Sequence, residues 1–164
     1  MNTILLILLI VLLVILFIQD IKYRLIHVGL LVLLSFITLT YWYVNNFKVS
    51  ILLFNFAFII LNLGSLKLYT IMTKKEKTDD LIYGLGLGDI LFFIAIIPLF
   101  STLNYMLFFI SGLFISMLTH LLVSIKLKNK LIPLAGYLSI YLICFIGYFK
   151  YLNKSLYIDL LLLN

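Results

Sequence analysis

Cysteine is almost missing from this chain, which has a single one, Cys144, in 164 residues. One thiol closes no intrachain disulfide and builds no thiolate zinc cage, so stapled secreted domains and zinc modules are both excluded. Acids are scarce as well, six against twelve Lys and Arg, and there are two histidines. That inventory offers no His pair at ligand spacing and no Ser or Cys beside a plausible base, so neither a metal nor a cofactor is expected. Charged residues make up 11% of the chain and cluster at the ends of apolar runs rather than along a stripe. Such clustering is bilayer topology and not a nucleic-acid surface. What is plentiful is hydrocarbon: the chain is 65% hydrophobic with a mean hydropathy of +1.27, values of an integral membrane protein.

A helix rises about 1.5 Å per residue and needs about 20 residues to cross about 30 Å of hydrocarbon. Measured against that length, the uncharged runs predict an all-α bundle of six transmembrane helices forming one domain over residues 1–164. The six spans are Asn2 to Asp20, Ile26 to Val44, Val49 to Met72, Leu81 to Thr102, Tyr105 to Ile125 and Leu131 to Phe149. Met1 to Ile18 has no basic leading segment and no small-residue cleavage site before Asp20, so it is expected to be a retained first span. Leu156 to Leu163 is too short to cross and is expected to lie at the interface. Lys22 and Arg24, Lys74, Lys75 and Lys77, and Lys126, Lys128 and Lys130 put eight cations in the odd-numbered connections. The even connections and the tail hold three, Lys48, Lys150 and Lys154, while Lys67 near the end of the third span snorkels. The odd connections are therefore expected in the cytoplasm and both termini outside.

Within this frame one segment stands apart. Gly84-Leu85-Gly86-Leu87-Gly88-Asp89 opens a stretch from Leu81 to Ile125 in which Asp89 is the one charge. A span beginning near Leu81 puts Asp89 about two turns inside the membrane, where a carboxylate costs a few kcal/mol and is a working group by default. Asp20 closes the first span at the same face, so the two acids share a leaflet. Two carboxylates brought together in a low-dielectric site cannot both ionise cheaply, and such a pair holds a shared proton. One acid then activates water while the other protonates or polarises a scissile carbonyl. Gly86 and Gly88 leave room for an extended peptide beside the acid and permit the local backbone opening that only a cavity tolerates at membrane depth.

These residues resemble the type IV prepilin (leader) peptidases, members of the GxGD class of intramembrane aspartic proteases. Gly86-Leu87-Gly88-Asp89 is similar to the class motif, and Asp20-Ile21-Lys22-Tyr23-Arg24-Leu25-Ile26 to the acid and basic turn after the family's opening span. Lys130-Leu131-Ile132-Pro133-Leu134-Ala135-Gly136-Tyr137-Leu138 looks like the family's approach to its last helix. The resemblance implies an endopeptidase of the bacterial cytoplasmic membrane that removes the basic leader of prepilin or pseudopilin-like precursors at the cytoplasmic face. It makes Asp20 and Asp89 the catalytic pair. The chain departs from the pattern at His27, where the family has proline, and at Leu91, where a lysine is common. It also has no paired-cysteine cytoplasmic region, so no N-methyltransferase activity is expected.

Plainer roles exist for each group. Asp89 fits a helix cap before Ile90-Leu91-Phe92-Phe93, and Asp20 an interfacial acid paired with Lys22 or Arg24. Glu76, Asp79 and Asp80 read as solvated loop charges, and His27 and His120 as interfacial or bundle residues. Asn55, Asn62 and Ser111 read as interhelical hydrogen-bonding groups. Tyr41, Trp42, Tyr43, Tyr148 and Tyr151 read as an outer aromatic belt. The rival function is a small proton- or ion-conducting protein with Asp20 and Asp89 as its relay.

Overall fold

The computed structural model describes residues 3–45, 47–72, 86–127, 133–152 and 156–157, and across them the chain is all-helical. Six helices follow in order: α1 (Thr3–Tyr23), α2 (Val28–Val44), α3 (Val49–Met72), α4 (Leu87–Ile96), α5 (Thr102–Leu127) and α6 (Leu134–Tyr151). A 3-10 turn, Ile97–Leu99, continues α4. Among the described residues four helices, α1, α3, α5 and α6, are long and apolar enough to cross a bilayer. The protein is a multi-pass membrane protein.

The fourth expected span requires correction. It starts at Leu87 rather than near Leu81, and its 10 residues reach only about 15 Å. Residues 81–85 lie outside the described residues. Past its exposed first residue, Leu87, the helix is covered largely by protein rather than lipid: Phe92, Phe93, Ala95 and Ile96, and then Ile97, Leu99 and Phe100, are all buried. α2, α3 and α6 pack around it. An enclosed helix has no need to match the hydrocarbon thickness. Asp89 accordingly sits in the first turn of α4, not two turns down a longer helix.

α4 stops where Pro98, which has no N–H, breaks the ladder. The carbonyls around this corner are taken up by side chains from elsewhere, as burial in a membrane protein demands. Thr38 of α2 donates to Ala95 O at 2.7 Å, Tyr105 of α5 to Phe93 O at 3.1 Å, and Asn55 of α3 to Phe100 O at 3.1 Å. The tail joins the same corner, contrary to an interfacial position for its first residues. Leu156 is buried, its carbonyl accepts from Asn104 Nδ2 at 2.6 Å, and Tyr157 donates to Pro98 O at 2.5 Å. Residues 158–164 lie outside the described residues.

α1 divides lipid from protein by side-chain shape. Its inward stripe is Leu6, Leu9, Leu13, Leu16 and Asp20, at alternating spacings of about three and four residues. Ile4, Ile7, Val11, Val14, Ile15 and Ile18 face outward. Asp20 is therefore the last member of the buried stripe and meets α6. Three other expectations change in detail. Asn62 bonds back to Phe58 O of its own helix rather than across the bundle, whereas Asn55, and Ser111 with Tyr141 of α6, do reach other elements. Tyr41 is buried, while Tyr43, Tyr148 and Tyr151 are exposed as a belt requires.

Candidate functional site

The site forms where the end of α1 and the starts of α2, α4 and α6 meet. α6 begins after Pro133, whose side chain offers no cap. The first turn of any helix leaves backbone N–H groups without intrahelical partners. Here the Ala135 and Gly136 amides, at the second and third helical positions, are the orphans that an N-cap side chain would ordinarily satisfy. Two aspartates from other helices take them. Gly136 N–H donates to Asp20 Oδ2 at 2.7 Å, and Ala135 N–H donates to Asp89 Oδ1 at 2.9 Å.

Asp20 reaches α6 because α1 ends immediately beyond it. Arg24 lies in the left-handed region at φ 55°, a conformation costing about 1–2 kcal/mol for a residue with a Cβ, and its N–H closes the last turn onto Asp20 O at 2.9 Å. An acid at the C-terminal end of its own helix meets an unfavourable macrodipole, and Asp20 offsets this by pointing at the positive end of α6. Arg24 is also near enough to act on the Asp20 carboxylate electrostatically. Asp20 is buried, and Asp89 is half-buried.

Asp89 does two jobs. Its Oδ2 accepts from Gly86 N–H at 3.3 Å, which ties down the start of α4, while its Oδ1 holds Ala135. The helix-cap role is thus real, with Gly86 as the N-cap residue and Asp89 third in the helix. It coexists with the contact across to α6. Asp20 lies close enough for its charge to be felt by Asp89. The two carboxylates, brought from positions 20 and 89, are held on consecutive amides of one helix turn.

The glycines make this approach possible. A Cβ on Gly136 would stand 3.1 Å from Asp20 Oδ2 and 3.3 Å from Asp20 Cβ. One on Gly88 would stand 3.3 Å from Ile26 Cδ1, so Gly88 seats α4 against the lead-in to α2. One on Gly86 would stand 3.3 Å from Asp89 Oδ2. Gly84 lies outside the described residues, as do Glu76, Asp79 and Asp80.

At His27 the expected proline position gains a use for its N–H, which donates to Gln19 Oε1 at 3.3 Å. Leu91 is half-buried against the core. Among the described residues neither His27 nor His120 hydrogen-bonds to either carboxylate, and no group of three or more His, Cys, Asp or Glu is placed to hold a metal ion. The functional groups that residue-type reasoning missed are the Ala135 and Gly136 amides. Their signal was the Pro133-Leu134-Ala135-Gly136 segment, a helix start with no capping side chain of its own.

No protein-family model, no curated protein and no solved structure matches this chain.

Proposed function

We propose that the chain is a membrane aspartic endopeptidase that cleaves the basic leader of prepilin-like precursors at the cytoplasmic face of the bacterial cytoplasmic membrane. One observation carries the reading: Asp20 of α1 and Asp89 of α4 are gathered onto adjacent amides of α6 at one end of the bundle. Carboxylates that close share a proton more readily than they both ionise. Water between them would be activated by the ionised acid while the protonated partner polarises the scissile carbonyl, and the roles exchange as the tetrahedral intermediate collapses. The α6 N-terminus contributes fixed positive potential, which helps to hold the pair in place beside the charge of Arg24.

A proton relay through the same acids is the weaker reading. A conduit needs polar groups continuing from the acids; along α1 the buried stripe leading away from Asp20 is Leu16, Leu13, Leu9 and Leu6, and the buried Thr38, Asn55, Asn104 and Tyr105 donate to main-chain carbonyls around the Pro98 corner.

The decisive experiment is co-expression with a prepilin, comparing wild type with Asp20→Asn and Asp89→Asn and checking insertion by membrane fractionation. Both variants are expected to insert and to leave the precursor uncleaved. Processing retained in either refutes the catalytic assignment.

A further inference from the structure

A second feature lies beside the acids and shares only Arg24 with them. A cavity of about 690 Å³ opens between α1, α5 and α6. Its walls are mostly apolar, with Phe17 and Ile21 from α1, Ile115 from α5, and Ile140 and Cys144 from α6, joined by Thr119, Tyr137 and Tyr141. Lys22 and Arg24 also line it, and among the described residues no acid does. Lys22 Nζ stands 5.0 Å over the ring of the exposed Tyr23, and Arg24 follows on a left-handed backbone turn.

The lining has a direction. Along α6 it runs from Pro133 to Cys144, about 16 Å of helix, or roughly half the hydrocarbon thickness. Both cations come from the last turn of α1 and the residue following it, the end at which α6 begins. The cavity therefore has a cationic mouth and an apolar shaft one leaflet deep. Basic pockets between membrane helices recognise anionic headgroups. A basic leader peptide would meet like charge here.

We propose that this cavity binds one anionic phospholipid, its phosphate between Lys22 and Arg24 and an acyl chain along α6. The proposal is independent of the peptidase reading. It places the lipid against Pro133, directly before the amides that hold both aspartates.

Cys144, the sole cysteine of the chain, lines the shaft and is exposed, so it serves as the reporter. The purified full chain would be placed in nanodiscs of phosphatidylcholine alone or with phosphatidylglycerol of the same acyl chains. Alkylation of Cys144 by a membrane-permeant maleimide would be timed by mass spectrometry, and retained lipid counted by native mass spectrometry. Phosphatidylglycerol is expected to be retained as one molecule with about thirtyfold preference, the factor two cations near a membrane surface supply, and to slow alkylation. Lys22→Gln with Arg24→Gly removes both cations while glycine keeps the left-handed turn, and should abolish preference and protection. Thr119→Trp fills the shaft with the cations intact and should abolish retention. Retained helicity and monodispersity of the variants establish that each is folded. Equal protection by both lipids, or protection surviving the double substitution, overturns the proposal. So does protection by inorganic phosphate alone, which would make this a small-anion site, or by a basic leader peptide where phosphatidylglycerol gives none.

Discussion

Gly136 sits where two demands conflict. In a helix alanine is favoured over glycine by about 0.5–1 kcal/mol, yet a Cβ here would press on Asp20 from 3.1 Å. Gly136→Ala is therefore expected to insert normally and to lose roughly 10–100-fold in cleavage, because the displaced carboxylate no longer meets Asp89 in register. Gly64→Ala is the control: nothing lies within 4 Å of its added Cβ, and cleavage should be unchanged. Equal losses in both variants would remove the special role of position 136. At this scale the sequence was informative about the acids and silent about their holders. Asp20, Asp89, Gly86 and Gly88 are conspicuous as polar or Cβ-free positions in apolar surroundings. The Ala135 and Gly136 donors are main-chain groups, which every residue but proline possesses, and they leave no mark in composition.

Among the elements, α1, α2 and α3 lie close to their expected positions because Asp20, Lys22 and Arg24, and then Lys48, punctuate the apolar runs. α5 starts at Thr102, three residues before the expected Tyr105, because most of the Ser101-Thr102-Leu103-Asn104 break is itself helical. α4 was misjudged because hydropathy counts apolar residues without revealing what covers them; a helix wrapped by neighbours and one wrapped by lipid read alike. α1 hid its inward face for a related reason, since leucine inside and isoleucine or valine outside give almost no hydropathy contrast. The corner ending α4 makes its own prediction. Thr38→Val removes the donor to Ala95 O, leaving a buried carbonyl unpaired at a cost of about 1–3 kcal/mol. The variant should melt earlier in detergent by circular dichroism yet retain cleavage at permissive temperature; an unchanged melting curve would show that the carbonyl finds another partner.

For the molecule as a whole, the two ends of the bundle differ in kind. One gathers Asp20, Asp89 and the start of α6; the other is closed by Leu156 and Tyr157 on the Pro98 corner. The distribution of lysines predicts which end faces inward: in a Cys144→Ser background, cysteines placed at Thr73 or Thr78 should label only from the cytoplasmic side. Labelling from outside would invert the molecule and place the acids at the wrong face for a cytoplasmic leader. A chelator is expected to leave cleavage unchanged, and inhibition reversed by added zinc would replace the proposed chemistry.

The amides that grip both aspartates belong to α6, the last of the described helices to leave the ribosome. A nascent chain halted after α5 already carries both acids, with Asp89 on the Gly86 amide, but lacks the two amides that gather them onto one helix turn. Assembly of the pair thus waits for α6, and under the proposed chemistry a copy without it could not yet cut.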